Sequence, residues 1–531
     1  MQYYDIIIIG GGAAGLMAAV GAGNLTGTTH SGNHLIPGQY PEVRSGKEAG
    51  DACRKGLNSK DTAKVLVFEK MPRPGRKIMI TGKGQCNFTN VKAWEDFSGH
   101  IHPAPNLLKP SFFNLTPEKL IGMFNDAGLD TVIERGDRAF PASHKASDVV
   151  DTLVRMATEA GVEIKCGKEV VSIEPHFGRT DGDASRAEWI EGIEDKKDKD
   201  SIPETSAISR ETDGNKSDNR DCRYFIVKCA DGSIYCCDRL IVTTGGLSYP
   251  ASGSSGDGLV WARNLKLDVH QLFPSLTAIV PEGYKQAGQY GGEKGNPSVR
   301  DGIRGHIDRS TPLSTTGRAL CGVELDNVNL TVLIDGNPVC EEFGDIAFTD
   351  GGLEGPASFK VSRRCVRAVM NGSKVSVSID LKPAVDTDRL DRRISSLWKE
   401  ISADRRSHGL KYRDRLLILL GKLLPRQAAR GFLLCNPDLG HTTLAEALKN
   451  WEMAISGFVG YERCVVTAGG ISQAEINPKT MESRKIPGLY FAGEILDLDG
   501  DTGGYNLHIA FSTGYLAGQS AAKSCPIRKH S

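Results

Sequence analysis

The sequence predicts an α/β chain in which a parallel-sheet domain is interrupted by a β-rich domain and by a small helical one. Three observations carry the prediction. The β-branched run Tyr4-Asp5-Ile6-Ile7-Ile8-Ile9 meets a glycine-rich turn and then a helix-forming stretch. A second apolar run, 64–69, ends in an acid, Glu69. Between about residue 261 and residue 451 the hydrophobic pattern changes twice, first to short alternating strands and then to helical spacing.

Taken in order, the run 4–9 is continuous, as a strand buried on both faces of a parallel sheet requires. The turn 10–15 follows, and 16–22 begin a helix. The next buried strand comes only at 64–69. The polar, aperiodic stretch 24–63 between them is a surface insertion, because loop closure cost grows only logarithmically with length. Thr116-Pro117-Glu118 is a helix start that Gly128 ends. Ser147 opens another helix, with Val149, Val150, Leu153, Val154 and Ala157 on one face. Strand-like runs follow at 162–165, 170–173, 224–229, 234–237 and 240–244, with a second polar insertion at 179–223. Residues 261–385, with about 452–463, form the β-rich domain, and 386–451 the helical one. The chain then returns to the first domain, 1–260 and 464–531, through a strand at 488–493 and a closing helix over about 505–522.

Composition excludes several classes. The 531 residues suggest about three domains. Hydrophobic residues at 39% and charged residues at 24% exclude a wholly disordered chain and a polytopic membrane protein. Lys and Arg, 65 together, balance 65 Asp and Glu, so no broad polyanion-binding surface is indicated and a nucleic-acid partner is not expected. Glycine is enriched: 61 of 531 residues, with no collagen period. The 13 Cys are scattered, odd in number and without a CxxC pair. That pattern fits reduced thiols in a cytoplasmic protein, and neither a disulfide framework nor a metal site is expected. Residues 6–23 carry no charge, but Asp5 precedes them, no Lys or Arg occurs before Arg44, and glycines interrupt them. They read as strand, turn and helix, not as a membrane span or a signal peptide.

The turn is Gly10-x-Gly12-x-x-Gly15, a pattern weak alone but informative after a buried strand and before a helix. The first glycine permits the tight turn, the second lets a pyrophosphate approach, and the third allows close helix–sheet packing. Free N–H groups at the helix start favour phosphates. Glu69 is placed to accept hydrogen bonds from adenosine ribose hydroxyls, later in the chain than usual because the first insertion intervenes. The domain is therefore a Rossmann-like dinucleotide-binding one. Near the C-terminus, GLYFAGE (488–494) is another strand ending in glycine and acid, followed by DLDGDTGGYN (497–506) and a helix. That second helix N-terminus suits the far end of a long ligand and a negative charge developing on a flavin ring. Glu494 is placed for ribityl or phosphate-adjacent hydroxyls.

Five blocks recur in order: GRKIMITGKGQCNFTN (75–90), TGGLSYPASGSSGDG (244–258), FTDGGLEGP (348–356), VTAGG (466–470) and 493–515. With them the chain resembles the bacterial FAD-dependent oxidoreductases described as aminoacetone-oxidase-like flavoproteins, of the glutathione-reductase-type two-dinucleotide-binding superfold. The resemblance implies non-covalent FAD held by Gly10, Gly12, Ala14, Gly15, Glu69, Lys70, Arg76, Lys77, Thr81, Gly82, Gly84, Asn87 and Val170. Thr244, Gly245, Gly246, Gly493, Glu494, Gly503, Gly504, Tyr505, Asn506 and Leu507 complete the set. It also implies β-rich and helical domains inserted in the FAD domain. Two features depart from the family: Gln85 stands where an Arg is usual, and the two polar insertions are peculiar to this chain.

Cys86 and His508 are the side chains nearest to catalytic candidates. A dithiol mechanism is disfavoured because no second Cys lies in the block of Cys86; a packing role beside the cofactor is the plainer reading. His144, in a polar stretch, reads as solvent-exposed. The glycine-rich 252–258 reads as a loop lining the flavin site, since it lacks the spacing of a second nucleotide motif. The function expected is two-electron hydride chemistry on a small organic substrate, with NAD(P)H or oxygen as electron partner. Two other classes remain compatible: a flavin-dependent tRNA-modifying enzyme, which needs a basic face, and a non-catalytic redox-responsive flavoprotein.

Overall fold

The computed structural model describes residues 1–26, 63–177, 222–286 and 304–525. The predicted insertions at 24–63 and 179–223 lie, apart from their margins, outside the described residues. Five parallel strands run side by side in the order Glu163–Cys166, Val65–Glu69, Gln2–Ile9, Ile234–Val242 and Leu489–Phe491. In chain order this is 3-2-1-4-5, the doubly wound arrangement. Its direction reverses beside Gln2–Ile9, and ligands bind in the crevice beyond the carboxyl ends of the strands there. Ile6, Ile7 and Ile8 are wholly buried, as a strand covered on both faces requires. The other edge of Ile234–Val242 is shared: its first half pairs antiparallel with Cys222–Cys229, and that strand with Val170–Phe177.

Two runs expected at 234–237 and 240–244 are one strand. The intervening Asp238 reads as a break because it is charged, yet it is buried and accepts a hydrogen bond from Tyr3 Oη at 2.5 Å, so the ladder continues past it. Asp238, Asp5 and Cys525 also gather ligand-type atoms within 4.8 Å. Tyr3 Oη bridges the two carboxylates and the Lys64 N–H donates to Asp5, so this cluster is tied into two central strands of the sheet.

The helices Ala13–Thr26 and Gly503–Ser524 cross at backbone contact. A Cβ on Gly514 would lie 2.2 Å from Ala14 O, and one on Gly518 2.0 Å from Ala18 O. The pairing of residue 514 with residue 14 and of 518 with 18 lets the closing helix start about 15 Å before the first one, so the two N-termini are spaced along the ligand crevice and not side by side. The closing helix starts at Gly503 and ends at Ser524, slightly longer than its sequence pattern indicates.

The second sheet closes on itself. Ile279–Pro281, Leu353–Glu354, Asn337–Phe348, Glu324–Ile334, Val375–Asp380 and Trp451–Val459 pair in that order, and the last pairs back with the first. Closure removes the exposed sheet edges. Helices Thr387–Ala403, Tyr412–Leu423, Arg426–Cys435 and Leu444–Lys449 share the barrel's hydrophobic core. Phe432 packs edge-on against Trp451 with ring centroids 5.0 Å apart. The helix Asp257–Asn264 instead gives Leu259, Trp261 and Ala262 to the first core, which extends to Leu272, while Phe273 belongs to the second. We propose the domain boundary there, a little beyond residue 260. No helix among the described residues is long and apolar enough to cross a membrane.

Candidate functional site

A cavity enclosing about 1200 Å³, its open mouth included, lies at the carboxyl ends of the first, second and fourth strands. The glycines of the opening turn divide their roles as the sequence indicates. Gly10 has φ 106°, and a Cβ there would sit 2.6 Å from Thr243 O. A Cβ on Gly15 would lie 1.8 Å from Gly10 O, so helix and turn touch. Gly12 lines the cavity with nothing within 4 Å of an added Cβ, the open approach that a pyrophosphate needs. The first intrahelical bond runs from Leu16 N–H to Gly12 O at 2.9 Å, which leaves the N–H groups of residues 13–15 without helical partners. The closing helix repeats this arrangement: Asn506 N–H bonds to Thr502 O, and Gly503 and Asn506 line the same cavity.

Glu69 lies at its strand end and accepts the N–H groups of Gly11 at 2.9 Å and Met71 at 2.8 Å. Burial raises its pKa, and those bonds together with Lys70 and Arg76 work against the rise. Lys70 pairs with Asp257 at 2.8 Å. Lys77 pairs with Glu494, which also accepts from Ser248 and from the Thr467 N–H at 2.8 Å. Ser248 and Thr467 were not singled out from the sequence, although each falls inside a block that carried the resemblance; Asp257 belongs to the loop 252–258.

Behind the second helix N-terminus, the alternate acids of the loop 497–501 each reach a different element. Asp497 meets His270 Nδ1 at 2.7 Å, Asp499 meets Arg363 Nε at 3.0 Å, and Asp501 meets both His100 Nδ1 and His102 Nε2 at 2.8 Å. Burial alone would raise the Asp501 pKa; the two imidazoles hold it at about 2. Asn506 closes the loop by donating to Gly500 O and Thr502 O and accepting from the Gly500 N–H.

Of the residues expected at the cofactor, the cavity is lined by Gly10, Gly12, Ala14, Glu69, Lys70, Arg76, Lys77, Thr81, Val170, Thr244, Gly245, Glu494, Gly503, Asn506 and Leu507. Ser252, Gly253, Ser254 and Asp257 of the loop 252–258 line it too. Gly15, Gly82, Gly84, Asn87, Gly246, Gly493, Gly504 and Tyr505 do not line it, and Gly82 is exposed. Gly504 packs on the Asn87 amide, Gly246 on Thr467, and Gly493 on Ala14. The Tyr505 ring stacks on His100 at 4.6 Å.

Neither Cys86 nor His508, the two catalytic candidates, lines the cavity. The Cys86 thiol is wholly buried, and burial pushes its pKa up to about 12, so no thiolate is present near neutrality. Cys86→Ala is expected to keep its flavin and its reduction rate within about twofold, measured by stopped-flow, as a residue with no thiolate role should. His508 lies between Phe97 and Phe112, its Nδ1 3.0 Å from Thr89 Oγ1, and burial pushes its pKa down to about 3. The unfolded chain takes up this proton near the ordinary value of 6.5 and the folded chain does not. Stability from His508 is therefore full above 6.5 and falls by roughly 1.4 kcal/mol per pH unit below it. Thermal unfolding should show that slope, flattened in His508→Gln; an unchanged slope would refute the assignment. His144 is exposed, as expected.

The carboxylate at a strand end, the open side of Gly12 and two helix N-termini on one cavity are the donor set of a dinucleotide site, and the residues fit FAD. Fold and site together define the class: an FAD-dependent oxidoreductase built on a Rossmann domain. More particularly, the chain belongs to the HI0933-like family, whose Rossmann domain matches residues 48–187 and 203–520. It is 25% identical to the 3-dehydro-bile acid delta(4,6)-reductase of Clostridium scindens, over 97% of this chain and 98% of that protein. It is also 25% identical to the ribosomal RNA dihydrouridine synthase of Escherichia coli, over 99% and 100%. Among solved structures, the 3-ketosteroid delta1-dehydrogenase of Sterolibacterium denitrificans is similar at 12% identity and TM-score 0.42, over 99% of this chain and 100% of that one.

Proposed function

We propose that this protein reduces a carbon–carbon double bond conjugated to a carbonyl group, with FAD in the cavity and NAD(P)H as electron donor. The observation that carries the reading is the chemistry shared by two full-length relatives of equal identity. A 3-dehydro bile acid with delta(4,6) unsaturation holds its double bonds in conjugation with a ketone. Dihydrouridine is uridine whose ring double bond, conjugated to a carbonyl, has been saturated. Both substrates are also anions. Amine oxidation, to which the aminoacetone-oxidase-like resemblance points, is disfavoured by this agreement.

Bound FAD supplies the hydride. The chain would supply the rest: Gly12 and the helix behind it would seat the phosphates, Glu69 and Glu494 would take hydroxyls, and the positive end of the closing helix would favour negative charge developing on the bound cofactor. A second reading, reduction of a uracil base in RNA, is favoured by one observation. In a chain of zero net charge, residues 386–451 hold thirteen Lys and Arg against eight Asp and Glu, and Arg389, Arg392, Arg393, Arg413 and Arg430 among them are exposed.

The test is anaerobic. The purified yellow protein is reduced with NADPH and mixed with 2-cyclohexenone, a 3-oxo-4-ene steroid, uridine or unmodified ribosomal RNA. Return of the yellow colour together with a saturated product is expected from at least one of them. Reoxidation by oxygen alone, with all four inert, would overturn the proposal, and reaction with RNA alone would select the second reading.

A further inference from the structure

We infer that the cleft between the loop 497–501 and the helix Pro356–Met370 holds the substrate and grips an anionic group of it, phosphate or carboxylate, with Arg367. The inference rests on the reading above, whose reducible substrate must lie beside the FAD cavity.

Two adjoining clefts meet here and share Arg363, Arg367 and Asn371. One reaches His102; the other reaches His270, Phe273 and Asp497. Asp497 faces this cleft, and the next residue, Leu498, faces the FAD cavity. Consecutive Cα atoms are about 3.8 Å apart, so the two spaces are separated by the thickness of one chain segment.

The charges of the cleft do not cancel. Asp499 pairs with Arg363, while Asp497 and Asp501 are hydrogen-bonded by His270 and by His100 and His102. Lys360 is held by Glu342 at 3.0 Å, and Arg364 donates to Val339 O at 3.1 Å. Arg367 lies over the Phe273 ring, 5.8 Å from its centroid, and no carboxylate among the described residues pairs with it. Among the described residues the wall therefore presents two exposed guanidiniums without a carboxylate partner, Arg364, which is tied to a backbone carbonyl, and Arg367, which rests on an aromatic face and keeps its donors free of one. A guanidinium offers paired N–H donors that match a phosphate or carboxylate bidentately. Its neighbour Arg363, bound to a buried acid, is unavailable for that task.

The test uses the FAD-loaded protein and matched probes: uridine 5′-monophosphate against uridine, and a carboxylated cyclic enone against its methyl ester. Titration calorimetry should show one anionic probe binding about tenfold more tightly than its neutral partner. Arg367→Ala should abolish that advantage and Arg367→Lys should keep part of it. FAD content and melting temperature should not change, because Arg367 is exposed. Equal binding of both members of each pair, or an unchanged advantage in R367A, would overturn the inference. So would a tenfold rise in the NADPH KM with the probes unaffected, since the anion would then belong to the nicotinamide nucleotide. Binding needs no turnover. If no enone or uridine reoxidises the flavin while the anionic probe still depends on Arg367, the reduction reading fails and the anion site stands.

Discussion

Gly15→Ala is expected to give a colourless protein with a lowered melting temperature, whereas Gly12→Ala is expected to fold normally and bind FAD poorly. The two glycines are three residues apart in one turn, yet the space around them differs. An alanine Cβ at Gly15 would stand 1.8 Å from Gly10 O and 2.7 Å from Thr243 Oγ1. Gly10 cannot retreat, because it is itself pressed against Thr243 O in a backbone conformation that favours glycine. The helix Ala13–Thr26 must therefore move away from the sheet, and through its contacts with the closing helix it takes both helix N-termini with it. The cost belongs at the upper end of the roughly 1–3 kcal/mol of overpacked cores. At Gly12 the added methyl meets nothing, so thermal unfolding of the FAD-free protein should be unchanged. That methyl occupies the path of the pyrophosphate, so FAD affinity should fall by about tenfold or more, near 1.4 kcal/mol. A G15A protein that purifies yellow with the wild-type melting temperature would refute the packing argument. A G12A protein with unchanged FAD affinity would remove the dinucleotide from this turn.

What was legible in the sequence follows the range of the forces involved. The glycine turn, the strand before it and the acid at Glu69 are local features, and a short window holds all the information needed to place them. Cavity walls made by distant partners were not legible. Glu494 is taken by Lys77 across 417 positions, and the three acids of the loop 497–501 find partners 136 to 401 residues away. Acidic spacing in Asp497-Leu498-Asp499-Gly500-Asp501 indicates which side chains share a face but not what faces them. The helical segment 386–451 shows the same limit. Its periodicity marks an apolar stripe, and only the fold shows that the stripe completes the barrel core around Phe432 and Trp451. Asp238 misled in the opposite sense: a charge inside a strand reads as a break until its partner Tyr3 is known.

Arg363→Met should cost about 3–5 kcal/mol of stability near neutral pH, the penalty for leaving a buried charge without its partner. Asp499 is wholly buried and receives Arg363 Nε at 3.0 and 3.1 Å and Ser275 Oγ at 3.0 Å. Burial raises its pKa above the ordinary 3.8, and Arg363 and His102 pull it back only in part. Because the folded value is the higher one, ionising Asp499 opposes folding. Its contribution is fully favourable below 3.8 and is lost as pH rises through the folded pKa. Removing Arg363 raises that folded pKa further and extends the loss to higher pH. The R363M penalty should accordingly be small near about pH 4 and full near about pH 7. His508 titrates in both proteins, so its slope cancels in the difference. Adding Asp499→Asn to R363M should recover most of the loss, because an amide carries no charge to desolvate, and a double-mutant cycle measures the coupling. A penalty equal at both pH values, or one that Asp499→Asn leaves in place, would mean that Arg363 acts through its contact with the Phe273 ring. The ladder of acids would then not be what anchors the barrel helix to the loop ahead of the second helix N-terminus.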